Sequence, residues 1–172
     1  MQKVLVLGGK GMLGHVVVKT LLGLKDINVV FTEKGDENSP YFFNLENGIK
    51  QLHTILKSTG KFDYVINCIG ILSNNIDKRN PDSIRNAILV NGMFPHDLIK
   101  LGSELGIRII HILTDGVFSK SAGLCHEDSL QSCEDIYGKT KSIGEGFSPI
   151  LLNIRCSIIG PSPFNKKGLI EW

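Results

Sequence analysis

The chain has 172 residues, 42% hydrophobic and 21% charged, with 19 basic against 17 acidic residues and a formal net charge of +2. That describes one soluble globular domain, long enough to bury roughly two thirds of the surface its unfolded chain exposes. It excludes a charge-driven nucleic-acid binder and a disordered tail, and no apolar run nears the roughly 18 residues that would span a membrane.

The first predicted element is an apolar strand, Lys3–Leu7. Its run stops at Gly8 and no small-residue cleavage site follows, which argues against a signal peptide. Leu13, Val16, Val17, Thr20 and Leu21 recur at three- and four-residue steps, the spacing of one helix face. Asn28–Thr32 is a second strand and Tyr41–Leu45 a short third. Ile49, Leu52, Ile55 and Leu56 mark a second helix, closed by Gly60. Tyr64–Ile69 reads as a strand buried on both faces. A long helix runs from Ile84 to Leu105 and ends at Gly106, with Pro95 kinking or splitting it. Ile107–Leu113 is the next strand, Ile136–Phe147 a shorter helix and Ile150–Ile154 a final strand. This alternation gives an α/β fold: a doubly wound, mostly parallel sheet with helices on both faces, Rossmann-like.

Cys68, Cys125, Cys133 and Cys156 form no C-x-x-C pair and have no zinc-finger spacing to a histidine. They read as four reduced thiols in a cytoplasmic protein, with a Cys125–Cys133 disulfide as the minor alternative and no metal site.

Three features carry chemistry. Gly8, Gly11 and Gly14 give G-x-x-G-x-x-G between the first strand and the first helix. Gly8 makes the turn, Gly11 admits a pyrophosphate and Gly14 lets the helix pack closely, while the helix N-terminus supplies N–H groups and positive potential. The pattern points to a dinucleotide. Glu33, at the end of the second strand, suits the ribose 2′-hydroxyl of NAD, whereas Lys34 or Lys10 suits the 2′-phosphate of NADP. The choice stays open.

Tyr137 and Lys141 lie four residues apart, on one face of a helix. An ammonium group near the phenol is expected to lower its pKa and ready it for proton transfer near neutral pH. Thr114 ends the preceding strand at the sheet edge where such folds bind ligands, and can donate to a substrate oxygen.

With these blocks, the sequence resembles the extended short-chain dehydrogenase/reductase superfamily, and within it the dTDP-4-dehydrorhamnose reductase group. Gly8–Gly14, Val65–Gly70, Val90-Asn91 with Pro95, His111–Phe118, Glu127-Asp128, Tyr137–Lys141, Gly144-Glu145, Arg155 and Gly160-Pro161 carry the match. The resemblance implies Thr114, Tyr137 and Lys141 as the catalytic set, with Tyr137 the general acid toward a keto oxygen as hydride arrives. It implies that Gly8, Gly11, Met12, Leu13 and Gly14 hold the pyrophosphate. Glu33 and Lys34 would meet the adenosine ribose, Asn44 and Leu45 the adenine, and Cys68, Ile69 and Gly70 the cofactor along its length. Lys141 would also hold the nicotinamide ribose, beside Tyr137. The implied substrate is a nucleotide-activated sugar serving polysaccharide synthesis. Pairing of two copies through the helices near Ile84–Leu105 and Ile136–Phe147 is a family expectation. Gly116 stands where nucleotide-sugar dehydratases carry glutamate, which argues against dehydration. Family members run to nearly twice this length, so the chain reads as their cofactor-binding portion. The alternative is a non-catalytic NAD(P)-binding or regulatory module on the same fold.

Overall fold

The computed structural model describes residues 1–160; Pro161, part of the resemblance, lies outside the described residues. Five strands form one parallel sheet: β1 (Gln2–Leu7), β2 (Ile27–Phe31), β3 (Tyr64–Asn67), β4 (Arg108–Leu113) and β5 (Leu151–Arg155), in the order β2-β1-β3-β4-β5. Their apolar runs follow from burial. Val4, Leu5, Val6 and Leu7 are all buried, because β1 is an inner strand with a layer on each face.

Leu5 and Leu7 face the larger core, with Phe43, Leu52, Phe62, Phe94 and Leu98. Helices α2 (Ile49–Ser58) and α4 (Phe94–Leu105) contribute to that layer. Burying each such side chain contributes roughly 1.5–3 kcal/mol. Val4 and Val6 face a smaller core closed by α1 (Gly14–Leu22). Here the burial departs from the predicted face: Val18 is buried and Val16 is 45% exposed, so α1 is rotated relative to the sequence reading. Beyond β3, Ile110, Ile112, Leu152 and Ile154 share that second face, where α1 is the one covering helix among the described residues. Leu152 and Ile154 are 55% and 40% exposed.

Three predicted elements change. Tyr41–Leu45 is not a strand. It meets the sheet at one bridge, Glu33 to Phe42, and then enters a 3-10 turn at Leu45–Asn47 capped by Asn44. A tight turn closed by Phe42 N–H donating to the Ser39 carbonyl, with Pro40 inside it, leaves too little extended chain to pair further. The long helix is two helices, α3 (Pro81–Ala87) and α4, joined by a π-type turn at Ile88–Met93. Pro95 is not the break: it sits in the first turn of α4, where its missing N–H costs nothing. Helix α5 spans Ile136–Ile143 rather than reaching Phe147. It stops at Gly144, where any side chain would overlap the Asn91 carbonyl.

The four cysteines are free. No helix among the described residues is long and apolar enough to cross a membrane.

Candidate active site

β1 and β3 are neighbours, yet the chain leaves β1 toward β2 on one side and leaves β3 toward β4 on the other. Loops that diverge in this way open a crevice at the carboxyl ends of the strands. Two cavities meet there. One, of about 620 Å³, lies between the glycine loop, the end of β2 and the π-type turn. The other, of about 470 Å³, lies between the glycine loop, the end of β4 and α5. Gly11, Cys68, Ile69 and Gly70 line both, so the two form one elongated cleft.

The glycine loop is fastened to β2. Gly8 N–H donates to Thr32 Oγ1 at 3.0 Å, and Gly9 N–H to the Thr32 carbonyl at 3.1 Å. Thr32 is itself buried. Within the loop, Gly11 N–H donates to the Gly8 carbonyl at 2.9 Å. Gly14 is required by space: a Cβ there would overlap the Gly8 carbonyl. No side chain caps the start of α1, which leaves that end open to an anion.

Thr114 is buried where β4 ends, and its Oγ1 accepts from Gly116 N–H at 3.0 Å. Asp135 caps α5 by accepting from Gly138 N–H at 2.9 Å, which sets the helix that carries Tyr137 and Lys141. Lys141 is buried and reaches under the cleft, its Nζ donating to the Ile112 carbonyl at 3.3 Å. Burial lowers its pKa to about 8. A Cβ on Gly70 would stand 3.0 Å from that ammonium, a tight contact to which the lysine tip would have to yield. Tyr137 departs from the expectation of a lowered pKa. Burial raises it, Asp115 and Asp135 raise it further, and a hydrogen bond with Thr114 opposes them. Lys141 is absent from those causes, so sharing a helix face did not bring charge to the phenol. Cys68 is pushed up to about 12, first by burial, so it lines the cleft as a neutral thiol.

A buried polar layer holds this arrangement. Asn91, fully buried in the π-type turn, accepts from Ile71 N–H at 2.9 Å. Its amide donates to the Ile71 carbonyl at 3.0 Å and to Thr140 Oγ1 at 3.2 Å. One side chain thus ties the loop after β3 to α5. Asn67 accepts from Ile69 N–H at 3.1 Å and donates to His111 Nδ1 at 3.1 Å. That bond assigns the His111 proton to Nε2. Burial, then the nearby Lys141 charge, lower the His111 pKa to about 3, so the ring is neutral.

Of the predicted site residues, Glu33, Lys34, Asn44 and Leu45 line the first cavity, and Met12, Leu13, Thr114, Tyr137 and Lys141 the second. Gly8 lines the first, and Gly11, Cys68, Ile69 and Gly70 line both. Gly14 lines neither; it sits beneath the loop. Sequence reasoning gave no site role to Thr32, Asp115, Cys156 or Ser157. Asp115 accepts from the Ser157 hydroxyl and lines the second cavity with Cys156. Its place beside Thr114 was the available signal.

A doubly wound sheet, a glycine loop opening its first helix, and Thr, Tyr and Lys converging on one cleft define the class of extended short-chain dehydrogenases/reductases. A model of the RmlD substrate binding domain matches residues 1–151, and the chain belongs to that family. Comparison with curated proteins returns no match. Among solved structures, a dTDP-4-dehydrorhamnose reductase from Clostridium acetobutylicum is 27% identical with a TM-score of 0.72, over 90% of this chain and 52% of that one. A dTDP-4-dehydrorhamnose reductase from Bacillus anthracis, solved with NADP, shares the fold at 19% identity and TM-score 0.72, over 90% of this chain and 53% of that one. The Bordetella bronchiseptica enzyme WbmG, solved with NAD and UDP, does so at 18% and 0.74, over 92% of this chain and 54% of that one. The chain spans about half the length of these solved relatives.

Proposed function

We propose that this chain is the cofactor-binding portion of an NAD(P)-dependent reductase acting on a nucleotide-activated keto-sugar in cytoplasmic polysaccharide precursor synthesis. One observation carries the reading: Thr114, Tyr137 and Lys141 line a cavity continuous with the cavity of the glycine loop.

The residues present fit a nicotinamide dinucleotide. The cleft is long, and Gly11, Cys68, Ile69 and Gly70 line its waist. The uncapped start of α1 matches a pyrophosphate, and the apolar wall of Phe43, Leu45 and Ile69 matches an adenine. Gly8, Gly11, Met12, Leu13 and Gly14 would hold the pyrophosphate, Glu33 and Lys34 the ribose, and Asn44 and Leu45 the base. Cys68, Ile69 and Gly70 would lie along the molecule. When bound in reduced form, this cofactor supplies a hydride.

The chain's own residues manage the proton and the charge. Tyr137, held neutral by burial, donates its phenolic proton to the substrate oxygen. Thr114 donates a hydrogen bond to the same oxygen as negative charge develops there. Lys141, protonated below about pH 8, anchors the nicotinamide ribose.

Titration of the chain with NADH and NADPH, followed by nicotinamide fluorescence, tests the first half. Micromolar binding of either supports the reading, and no binding of either refutes it. Tyr137→Phe tests the second half. Turnover of a nucleotide-linked keto-sugar falls while cofactor affinity holds. Unchanged turnover in that variant removes Tyr137 from the chemistry and favours a non-catalytic module.

A further inference from the structure

We infer that one buried water molecule joins His111 to Asn153 and completes a hydrogen-bonded rung across β3, β4 and β5. His111 is then the positioning residue that fixes the Ile69 peptide at the waist of the cleft. The link to a dinucleotide rests on the cofactor reading above; the rung itself does not.

The rung begins as a break in an apolar pattern. Val65, Ile109 and Leu151 are paired neighbours on β3, β4 and β5, and all three join the larger core. Two residues on, and so on the same face, the paired neighbours are Asn67, His111 and Asn153. Asn67 is fully buried and His111 is 1% exposed. Polar groups this deep are costly unless each finds a partner. Ile69 N–H donates to Asn67 Oδ1 and the Asn67 amide to His111 Nδ1, both at 3.1 Å, and the Asn153 amide donates to the Gly146 carbonyl at 2.9 Å. Two atoms remain, His111 Nε2 and Asn153 Oδ1, both buried and with no protein partner among the described residues.

These two atoms complement each other. The Ile69 N–H fixes which end of the Asn67 amide is oxygen, so the other end donates to His111 Nδ1 and the ring carries its proton on Nε2. Nε2 is therefore a donor and Asn153 Oδ1 an acceptor. The two nitrogens of an imidazole point away from each other. With Nδ1 turned to Asn67 on β3, Nε2 is turned to the side of β5, where Asn153 is the paired residue. One water, accepting from Nε2 and donating to Oδ1, satisfies both, and two polar partners suffice to hold a buried water. Every bond then runs in one sense, from Ile69 through Asn67, His111, the water and Asn153 to the Gly146 carbonyl, and bonds in such a chain strengthen one another. The rung ties the strip that lines both cavities to the turn after α5, the helix of Tyr137 and Lys141. Ile69 in turn abuts the glycine loop: a Cβ on Gly8 would stand 3.1 Å from its Cγ1.

A crystal structure of the unmutated chain tests the water directly. Density for one molecule within hydrogen-bond reach of both His111 Nε2 and Asn153 Oδ1 is expected; no density there, or Nε2 bonded elsewhere, overturns the inference. Two variants then separate the ends of the ring. His111→Asn keeps an acceptor where Nδ1 stood and loses the Nε2 donor, whereas His111→Gln keeps a donor where Nε2 stood and loses the acceptor. Each is read by amide exchange at Ile69, NADH titration and thermal melts. His111→Gln should speed exchange at Ile69 and weaken NADH, each about fivefold, as loss of one hydrogen bond does. His111→Asn should melt lower yet hold both readouts within about twofold of the unmutated chain. Equal loss of NADH affinity in the two variants, or loss in neither, overturns the positioning role, because a ring that only fills space is missed alike in both. If either variant fails to melt cooperatively, Asn153→Leu replaces it: its crystal should lack the water, and a water retained there overturns the inference. If the unmutated chain binds neither NADH nor NADPH, the cofactor reading fails, while the crystal structure and exchange at Ile69 still decide the rung.

Discussion

Replacing Asn91 by alanine removes three hydrogen bonds from one fully buried side chain. Two of them hold the peptide of Ile71, and the third holds Thr140 on α5. Each contributes about 1 kcal/mol net, which gives about 3 kcal/mol for the set. Ile71 is half-buried, so water recovers part of the loss at its peptide, whereas Thr140 is buried and its hydroxyl keeps the bond to the Tyr137 carbonyl. The expected destabilisation is about 2–3 kcal/mol. For a chain of this length that lowers Tm by roughly 5–10 °C. The same variant should weaken NADH binding, because Ile71 continues the Cys68–Gly70 strip that lines both cavities. Thermal unfolding by circular dichroism, with a parallel fluorescence titration, measures both effects. A fall in Tm below about 2 °C would refute the claim that this side chain braces the cleft.

Gly14→Ala should abolish dinucleotide binding and lower Tm, because its Cβ overlaps the Gly8 carbonyl; Gly35→Ala, with nothing within 4 Å of the added atom, should do neither. Differential scanning fluorimetry with and without NADH separates the two. The folded pKa of Lys141, lowered from 10.5 to about 8, makes the unfolded state bind the extra proton between those values. Its contribution to stability therefore rises with pH from about 8 to 10.5. Urea midpoints of the unmutated chain relative to Lys141→Met should climb across that window, and a flat difference would contradict a buried lysine. His111 is lowered from 6.5 to about 3, so the unfolded state gains its proton first as pH falls. Stability should drop from about pH 6.5 toward 3, and His111→Gln should show a shallower acid limb in the same assay.

The strands and the glycine loop were legible because each is a local signal: an unbroken apolar run, or glycine where no side chain fits. The rest depended on partners distant in sequence. Tyr41–Leu45 has strand composition, but its Phe42 N–H closes the Ser39 turn, and the Tyr41 carbonyl and Phe43 N–H meet the sheet side at Glu33 alone. Pro95 drew attention as a breaker, while the actual discontinuity lies ahead of it, where Asn91 turns inward to bonds with Ile71 and Thr140. Tyr137 and Lys141 were correctly placed on one helix, yet spacing says nothing about burial, and burial sets both pKa shifts. Lys10 was visible as a charge in a loop; its pairing with Glu33 requires the fold.

The sheet is clothed unevenly, and this grades its rigidity from one side to the other. β1 has packed layers on both faces, whereas the outward side chains of β5, Leu152 and Ile154, stay wet. Amide exchange should therefore be slowest along β1 and fastest along β5. The glycine loop springs from the stiff end, and α5, bearing Tyr137 and Lys141, leads directly into the soft one. The half of the cleft proposed to hold a dinucleotide would then be the stiffer mould, and the half proposed to carry the chemistry would adjoin the strand expected to exchange fastest.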